Sequence, residues 1–306
     1  MITNSAALRI AFLLFLSALF SSHSTEASRE SLKRAGVQIV FESEQGQAAR
    51  EVADIYPSVK EQVTEALGMS ADFGPMIVLD RGGSIVRAKT GKDIFVGYAV
   101  PANNLIVLDT SRVYARPLTL RTVLKHELCH LTLHSHIKKL PRWLDEGVCQ
   151  WVSDGLPDML MNGGGRSLQE ALLAGTLIPI SDLDEFPPHS VRLAYEQSRS
   201  IIEYVQGKFG RGKIREVLRH LKEGSSLDAA FLRSISMTPL ELEKRWRADL
   251  DDNLPILRYV SQYLYEILFF IAAIITVYGF VIMMRRKRNY DENDNGDGKE
   301  TFPPEG

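Results

Sequence analysis

The sequence predicts an α+β fold: strand-like segments are confined to the first half of the chain, and helix-type patterns take over from Pro117 onward. Near the C-terminus, one charge-free block is long enough for a single membrane-spanning helix. The 306 residues are 45% hydrophobic and 24% charged, with 22 Gly and 13 Pro, which excludes collagen-like, low-complexity and globally disordered classes. Lys plus Arg is 36 against 38 for Asp plus Glu, a formal charge of −2 that exerts no global pull on nucleic acid, and no nucleic-acid partner is expected. Two cysteines are too few for a disulfide scaffold or a four-thiolate zinc site.

The first element is an export signal. Ile10 to Phe20, IAFLLFLSALF, follows the positive charge of Arg9 and leads into small residues near Ala27. A helix of that length reaches about 16 Å, half the hydrocarbon core of a bilayer, so residues 1–27 read as a signal peptide rather than a span. Residues 28–255 are then the exported domain, a length suited to one domain of two lobes.

Within it, GVQIVFES (Gly36 to Ser43) has the β-branched enrichment of a strand, and Gln47 to Met69 is a helical stretch with Pro57 as a kink. PMIVLD (Pro75 to Asp80), DIFVGYAV (Asp93 to Val100) and NLIVLDTS (Asn104 to Ser111) are three further strand candidates. Gly163 to Gly165 lacks the Lys-Ser/Thr of a phosphate loop and reads as a turn.

The chemistry is concentrated in TLRTVLKHELCHLTLHSHIKKLPRWLDEGVCQWV. His126, Glu127 and His130 form H-E-x-x-H, which on a helix puts two imidazoles one turn apart on one side, able to grip a zinc ion. Counted at 100° per residue from Leu120, the apolar residues Val123, Leu124, Leu128 and Leu131 cluster between about 300° and 80°, with Glu127 among them at about 340°. A carboxylate on the apolar side needs a metal, a bound water or a cation beside it. Zinc requires a third protein ligand. Glu146, in PRWLDEGVCQWV, is the favoured candidate; the alternative is His136, at the spacing of H-E-x-x-H-x-x-G-x-x-H but with Leu133 where that pattern has its turning glycine. Leu144, Val148 and Trp151 give the Glu146 segment its own helical apolar stripe.

HELCH followed by PRWLDEG resembles the gluzincin zinc metallopeptidases, most closely compact peptidase-MA-like domains. The resemblance extends through AYEQSRSIIEYVQGKFGRGKIREVLRHLKEG to LELEKRWRADL, spanning roughly Val37 to Leu250. It implies a zincin-like two-lobed domain, an N-terminal mixed sheet with helices and a helical C-terminal half. It also implies a Zn2+ cofactor held by His126, His130 and Glu146, Glu127 as general base, and Tyr195 as the donor to the oxyanion. His189 is a weaker candidate for that donor, and Asp145 is placed to orient an imidazole. The implied activity is a membrane-anchored endopeptidase acting on protein or peptide substrates. A substrate strand would add to a sheet edge, FVGYAV or NLIVLD. The competing class is a catalytically silent zincin-fold binding module of the cell envelope, or a metzincin-like site using His136.

Cys129 stands three residues after His126, and Cys149 three after Glu146. Equal helical steps beyond two ligands of one ion bring the thiols together, so an intrachain Cys129–Cys149 disulfide is expected in an exported domain. The last elements are Ile267 to Met284, ILFFIAAIITVYGFVIMM, and its flanks over 256–288. Tyr259, Tyr263 and Tyr265 lead in, and Arg285, Arg286, Lys287 and Arg288 follow, which places the C-terminal side in the cytoplasm and the domain outside, with lipid as partner. The acidic tail, 289–306, is expected to be disordered and cytoplasmic. No Asn-x-Ser/Thr sequon occurs, in keeping with a bacterial inner-membrane protein facing the periplasm.

Overall fold

Among the described residues, five short strands between Arg29 and Asp109 form one mixed sheet. The computed structural model describes residues 29–90, 96–114, 118–154, 166–187, 189–252 and 263–294. The expected signal peptide, the Gly163 to Gly165 turn and residues 295–306 of the tail lie outside them.

Strand β1 (Arg29–Arg34) and strand β2 (Val37–Glu42) make an antiparallel hairpin, closed by Ala35 and Gly36, both at positive φ (54° and 82°) as a type I′ turn requires. Sequence patterning misses β1 because RESLKR is polar and exposed; as the outermost strand it needs backbone pairing, not an apolar face. Helix α1 (Gly46–Leu67) runs on through Pro57 and packs on β2. Strand β3 (Met76–Asp80), helix α2 (Ser84–Thr90), strand β4 (Gly97–Val100) and strand β5 (Leu105–Asp109) follow. The spatial order is β1-β2-β3-β5-β4, with β3 parallel to both neighbours and β4 antiparallel to β5. β5 is buried along its whole length, the pattern of an interior strand covered on both faces. β1 and β4 are thus the two edge strands among the described residues, and of the two segments expected as an edge, FVGYAV contains β4, whereas NLIVLD is interior because β4 turns back to cover it.

The second half is helical: α3 (Leu120–His136), α4 (Arg142–Val152), α5 (Leu168–Leu173), α6 (Val191–Phe209), α7 (Lys213–Lys222), α8 (Leu227–Ile235) and α9 (Pro239–Asp252). Thr119 caps α3, its side-chain oxygen accepting from the Thr122 amide at 3.1 Å. α3 lies against α1, β4, β5 and α4, burying Val123, Leu124, Leu128 and Leu131. α4 differs from its expected single stripe. Trp143, Leu144, Gly147, Val148, Cys149 and Val152 are all buried, while Trp151 is only partly so, because α3 covers one side and α6 another. The α4–α6 approach is set by Gly147, whose absent Cβ would stand 2.6 Å from the Ser198 carbonyl oxygen and 2.9 Å from Ile202 Cγ1. Trp246 of α9 donates from Nε1 to Ser200 Oγ at 3.1 Å, tying that helix to α6.

The chain divides into two compact units between Ala248 and Asp249; the expected boundary at 255 lies outside the described residues. The second unit contains helix α10 (Leu264–Asp294). Its Leu264–Arg285 portion has a mean hydropathy of 2.7 with none of it buried, and is long and apolar enough to cross a membrane. The helix continues to Asp294, into the segment expected to be disordered, since extending an existing helix costs far less than starting one.

Gly147→Ala should destabilise the protein by about 1–3 kcal/mol through overpacking against backbone. Gly207→Ala on α6, with nothing within 4 Å of the added methyl, should be neutral or stabilising. Thermal melts of the full chain in detergent check the contrast.

Candidate metal centre

The helical register of α3 and the docking of α4 bring His126, His130 and Glu146 together. The two imidazoles meet edge to face, with centroids 4.7 Å apart and planes at 84°. His126 Nε2 and His130 Nε2 are 3.1 Å apart, and Glu146 Oε2 lies 3.4 Å from His130 Nε2 and 3.7 Å from His126 Nε2. Ligands at about 2.05 Å around a tetrahedral zinc are separated by about 3.3 Å, so the three atoms have the spacing of three tetrahedron corners. All three side chains are largely enclosed, at 7%, 13% and 13% exposure, so solvent contributes little to neutralising them.

Asp145 sets the tautomer. Its Oδ1 is 2.9 Å from His130 Nδ1, an acceptor that would keep the ring proton on that nitrogen and present Nε2 to a cation once one is bound. Its other oxygen, Oδ2, is 2.8 Å from His134 Nε2. His134 is thus drawn into the site, although the sequence reads as a solvated helix end there; its one signal was the step of four residues beyond His130. His130, His134 and Asp145 also group closely enough to hold a metal, but two hydrogen bonds already engage both carboxylate oxygens. His136 is turned away, with its Nε2 2.8 Å from the Ser70 carbonyl oxygen, which removes it as a third ligand. The cause is that α3 continues to His136 without the turn that would bring that ring back.

Glu127 is 5% exposed and faces β4, where a Cβ on Gly97 would sit 3.2 Å from its Oε1 and 3.0 Å from the Val107 carbonyl oxygen. Glycine there lets the edge strand pass beside the carboxyl group. Tyr195, on the first turns of α6, donates from its hydroxyl to Glu146 Oε1 at 3.1 Å and packs edge-on against Phe186, with centroids 4.9 Å apart. His189 is exposed on the turn ahead of α6.

The electrostatics follow from burial and crowding. Burial raises the Glu127 pKa, and the two imidazoles only partly offset it, so this carboxyl holds a proton more readily than an ordinary glutamate. Burial works against charge on Glu146 and Asp145 as well, but the His130 charge and hydrogen bonds from the imidazoles outweigh it, and both pKa values fall. Burial disfavours a charged His130, yet Asp145 and Glu146 overcome it and raise its pKa. Burial, reinforced by Glu146, raises the Tyr195 pKa and keeps its hydroxyl a donor. Three carboxyl groups thus share a buried space with two imidazoles, a surplus of negative charge that a divalent cation would neutralise. His126 Nδ1, buried and unpartnered among the described residues, leaves its Nε2 as the atom that points at the shared centre. The donor set fits zinc.

Cys129 and Cys149 are both buried and approach to 2.6 Å as free thiols, not at disulfide distance. The juxtaposition expected from their spacing is present and the covalent bond is not. Cys149 Sγ is 3.5 Å from His130 Nδ1, directly behind the proposed ligand.

A sequence profile of the Peptidase MA superfamily matches residues 88–252, more than half of the chain and all of this site. The chain belongs to the Peptidase MA superfamily. None of the curated proteins matches it. Among solved structures, yeast LTA4 hydrolase in complex with bestatin is similar at a TM-score of 0.43 and 14% identity, over 78% of this chain and 37% of that one. Native yeast LTA4 hydrolase gives 0.41 at 14% identity, over 64% and 33%. The Peptidase MA chain thus spans about a third of the length of these structures.

Asp145→Asn should weaken zinc binding about 10–100-fold, the usual cost of losing a carboxylate behind a ligating histidine. Competition against a chromogenic chelator measures it, and an unchanged affinity would contradict the orienting role.

Proposed function

We propose that this chain is a membrane-anchored zinc endopeptidase of the gluzincin type. The observation that carries it is the convergence of His126 Nε2, His130 Nε2 and Glu146 Oε2 beside a buried Glu127. Those three atoms would hold a zinc ion, which when bound would supply Lewis acidity toward a carbonyl and a water. Glu127, with its raised proton affinity, takes the proton of the attacking water and delivers it to the leaving amine. Tyr195 donates its hydroxyl proton in a hydrogen bond to the developing oxyanion, releasing Glu146 Oε1 to do so. The β4 edge, kept against Glu127 by Gly97, pairs with an extended substrate backbone, which suits cleavage within a chain. The presence of a carboxyl group at Glu127 and a full donor set favour this over a silent binding module.

Two further features complete the proposal. Helix α10 anchors the chain through Leu264–Arg285, with the catalytic domain on the exported side and the basic residues from Arg285 onward in the cytoplasm; residues 1–27 are removed as a signal. Cys129 and Cys149 close into a disulfide during folding, before the pair is covered, passing two electrons and two protons to a disulfide-bearing oxidant of the exported compartment. The bridge then fastens the two ligand-bearing helices.

Purified wild type should hold one zinc per chain and hydrolyse a casein-like substrate. Glu127→Gln should keep the zinc and lose at least about 100-fold in rate, the lower range for a positioned general base. A protein without stoichiometric metal, or a Glu127→Gln variant of undiminished activity, would overturn the proposal. For the cysteines, alkylation of the denatured exported protein should label no thiol until reductant is added; two labelled thiols without reductant would disprove the bridge.

A further inference from the structure

Arg142 stands on the wall of this site, beside Glu146 and Tyr195, with much of its side chain open to solvent. It opens α4, one turn ahead of Glu146, and 45% of its side chain is exposed while Glu146 retains 13%. Its guanidinium lies over the Phe186 ring, 4.2 Å from the centroid, a stacking arrangement that fixes a long side chain in one place. Phe186 is itself held at φ 46°, uncommon for an aromatic residue, and is 3% exposed against Tyr195. Arg142, Phe186 and Tyr195 therefore make one continuous wall beside Glu146.

A cation in that position does not serve the metal, because it repels it. Its ion pair with Glu146 is long, Nε standing 3.9 Å from an Oε1 that Tyr195 already engages at 3.1 Å, and the Tyr195 hydroxyl is its other neighbour, so these contacts occupy part of a fork that has five N–H donors. In the neighbouring loop, Asp182 accepts from Ser181 Oγ and Asp184 from the Trp143 amide, while Glu185 is exposed beside Phe186; none of the three forms an ion pair with Arg142 among the described residues. The approach side carries more positive charge: Lys138 and Lys139 are exposed just ahead of Arg142, and no acidic residue occurs between Glu127 and Asp145. A guanidinium fixed by stacking, on a side chain 45% exposed, matches a carboxylate, which it grips through two parallel hydrogen bonds. Glu146 Oε2 faces the two imidazoles while Oε1 faces Arg142, so a single carboxylate separates the guanidinium from the reacting centre, a span that two extended residues at about 3.5 Å each can cover.

We propose that Arg142 is a specificity-determining residue that binds a substrate carboxylate within two residues of the scissile bond. The proposal rests on the hydrolytic function above, deepening it from peptides in general to peptides with a carboxylate at that distance. The carboxylate has two sources, a free C-terminus or an Asp or Glu side chain.

Equilibrium binding separates them without requiring turnover. Full-length Glu127→Gln protein is titrated with a fluorescent hexapeptide series carrying Asp or Asn at each of its last three positions, each made as the free acid and as the C-terminal amide. Neutralising the recognised carboxylate should weaken binding about tenfold, the scale of a charge-assisted hydrogen-bonded contact. Arg142→Met should abolish that discrimination, and Arg142→Lys should retain only part of it, since a point charge cannot grip both oxygens. Loss on amidation identifies the terminal carboxylate; loss on Asp→Asn identifies the side chain. Equal binding across the series, no binding of any peptide, or discrimination that survives Arg142→Met overturns the proposal. Its failure is distinguishable from failure of the proposed function, because zinc content and casein hydrolysis report on the latter and do not depend on this preference.

Discussion

The approach of α4 to α3, which buries the Glu146 carboxylate against the His126 and His130 rings, is the constraint on which the rest of this structure depends. A carboxylate with 13% exposure is costly unless opposite charge or strong donors surround it. The surroundings supply those donors at each contact, Tyr195 on one oxygen and the imidazoles at the other, with Asp145 accepting from His130 on its far side. Because Asp145 and Glu146 sit near the start of α4, the helix dipole also favours both negative charges. The packing that permits this is equally specific. Gly147, next to Glu146, lets α6 come close enough for Tyr195 to reach the carboxylate, so backbone proximity and hydrogen bonding are parts of one arrangement.

The sheet contributes position and little else to the chemistry. The β2, β3 and β5 strands form its interior, and β4 alone among those near α3 presents a free edge. Gly97 brings that edge beside Glu127, so a backbone laid along β4 would lie next to the proposed base. The opposite wall is made of side chains, Arg142 on Phe186 on Tyr195. In the proposed function, a sequence-tolerant edge and a charged, shaped wall would divide the work of recognition, the edge accepting a backbone and the wall discriminating among side chains or termini.

Much of the site was legible because it is encoded locally. His126 and His130 share a helical face by spacing alone, and the apolar environment of Glu127 follows from its angle among Val123, Leu124 and Leu128. The approach of Cys129 to Cys149 followed from two equal helical steps once the ligands were assigned. Other features were not legible. Strand β1 has a polar sequence and exists because β2 offers it a partner. The part played by His134 depends on which way Asp145 points, and the stacking of Arg142 depends on a loop more than forty residues away in sequence. Burial around nearly all of α4 was hidden for the same reason: an amphipathic pattern reports one partner, whereas this helix has two.

By itself, then, the sequence determined an α+β chain with an H-E-x-x-H helix, a second carboxylate-bearing helix and a terminal segment apolar enough for a bilayer, since periodicity, length and composition are properties of neighbouring residues. Only the tertiary structure decided which edge of the sheet is open, that His136 faces Ser70 rather than the site, and that Asp145, Tyr195 and Arg142 surround Glu146. Those outcomes depend on contacts between segments far apart in the chain. Such contacts are selected by packing and by the cost of leaving buried charge unpaired, and neither leaves a pattern in a local stretch of sequence.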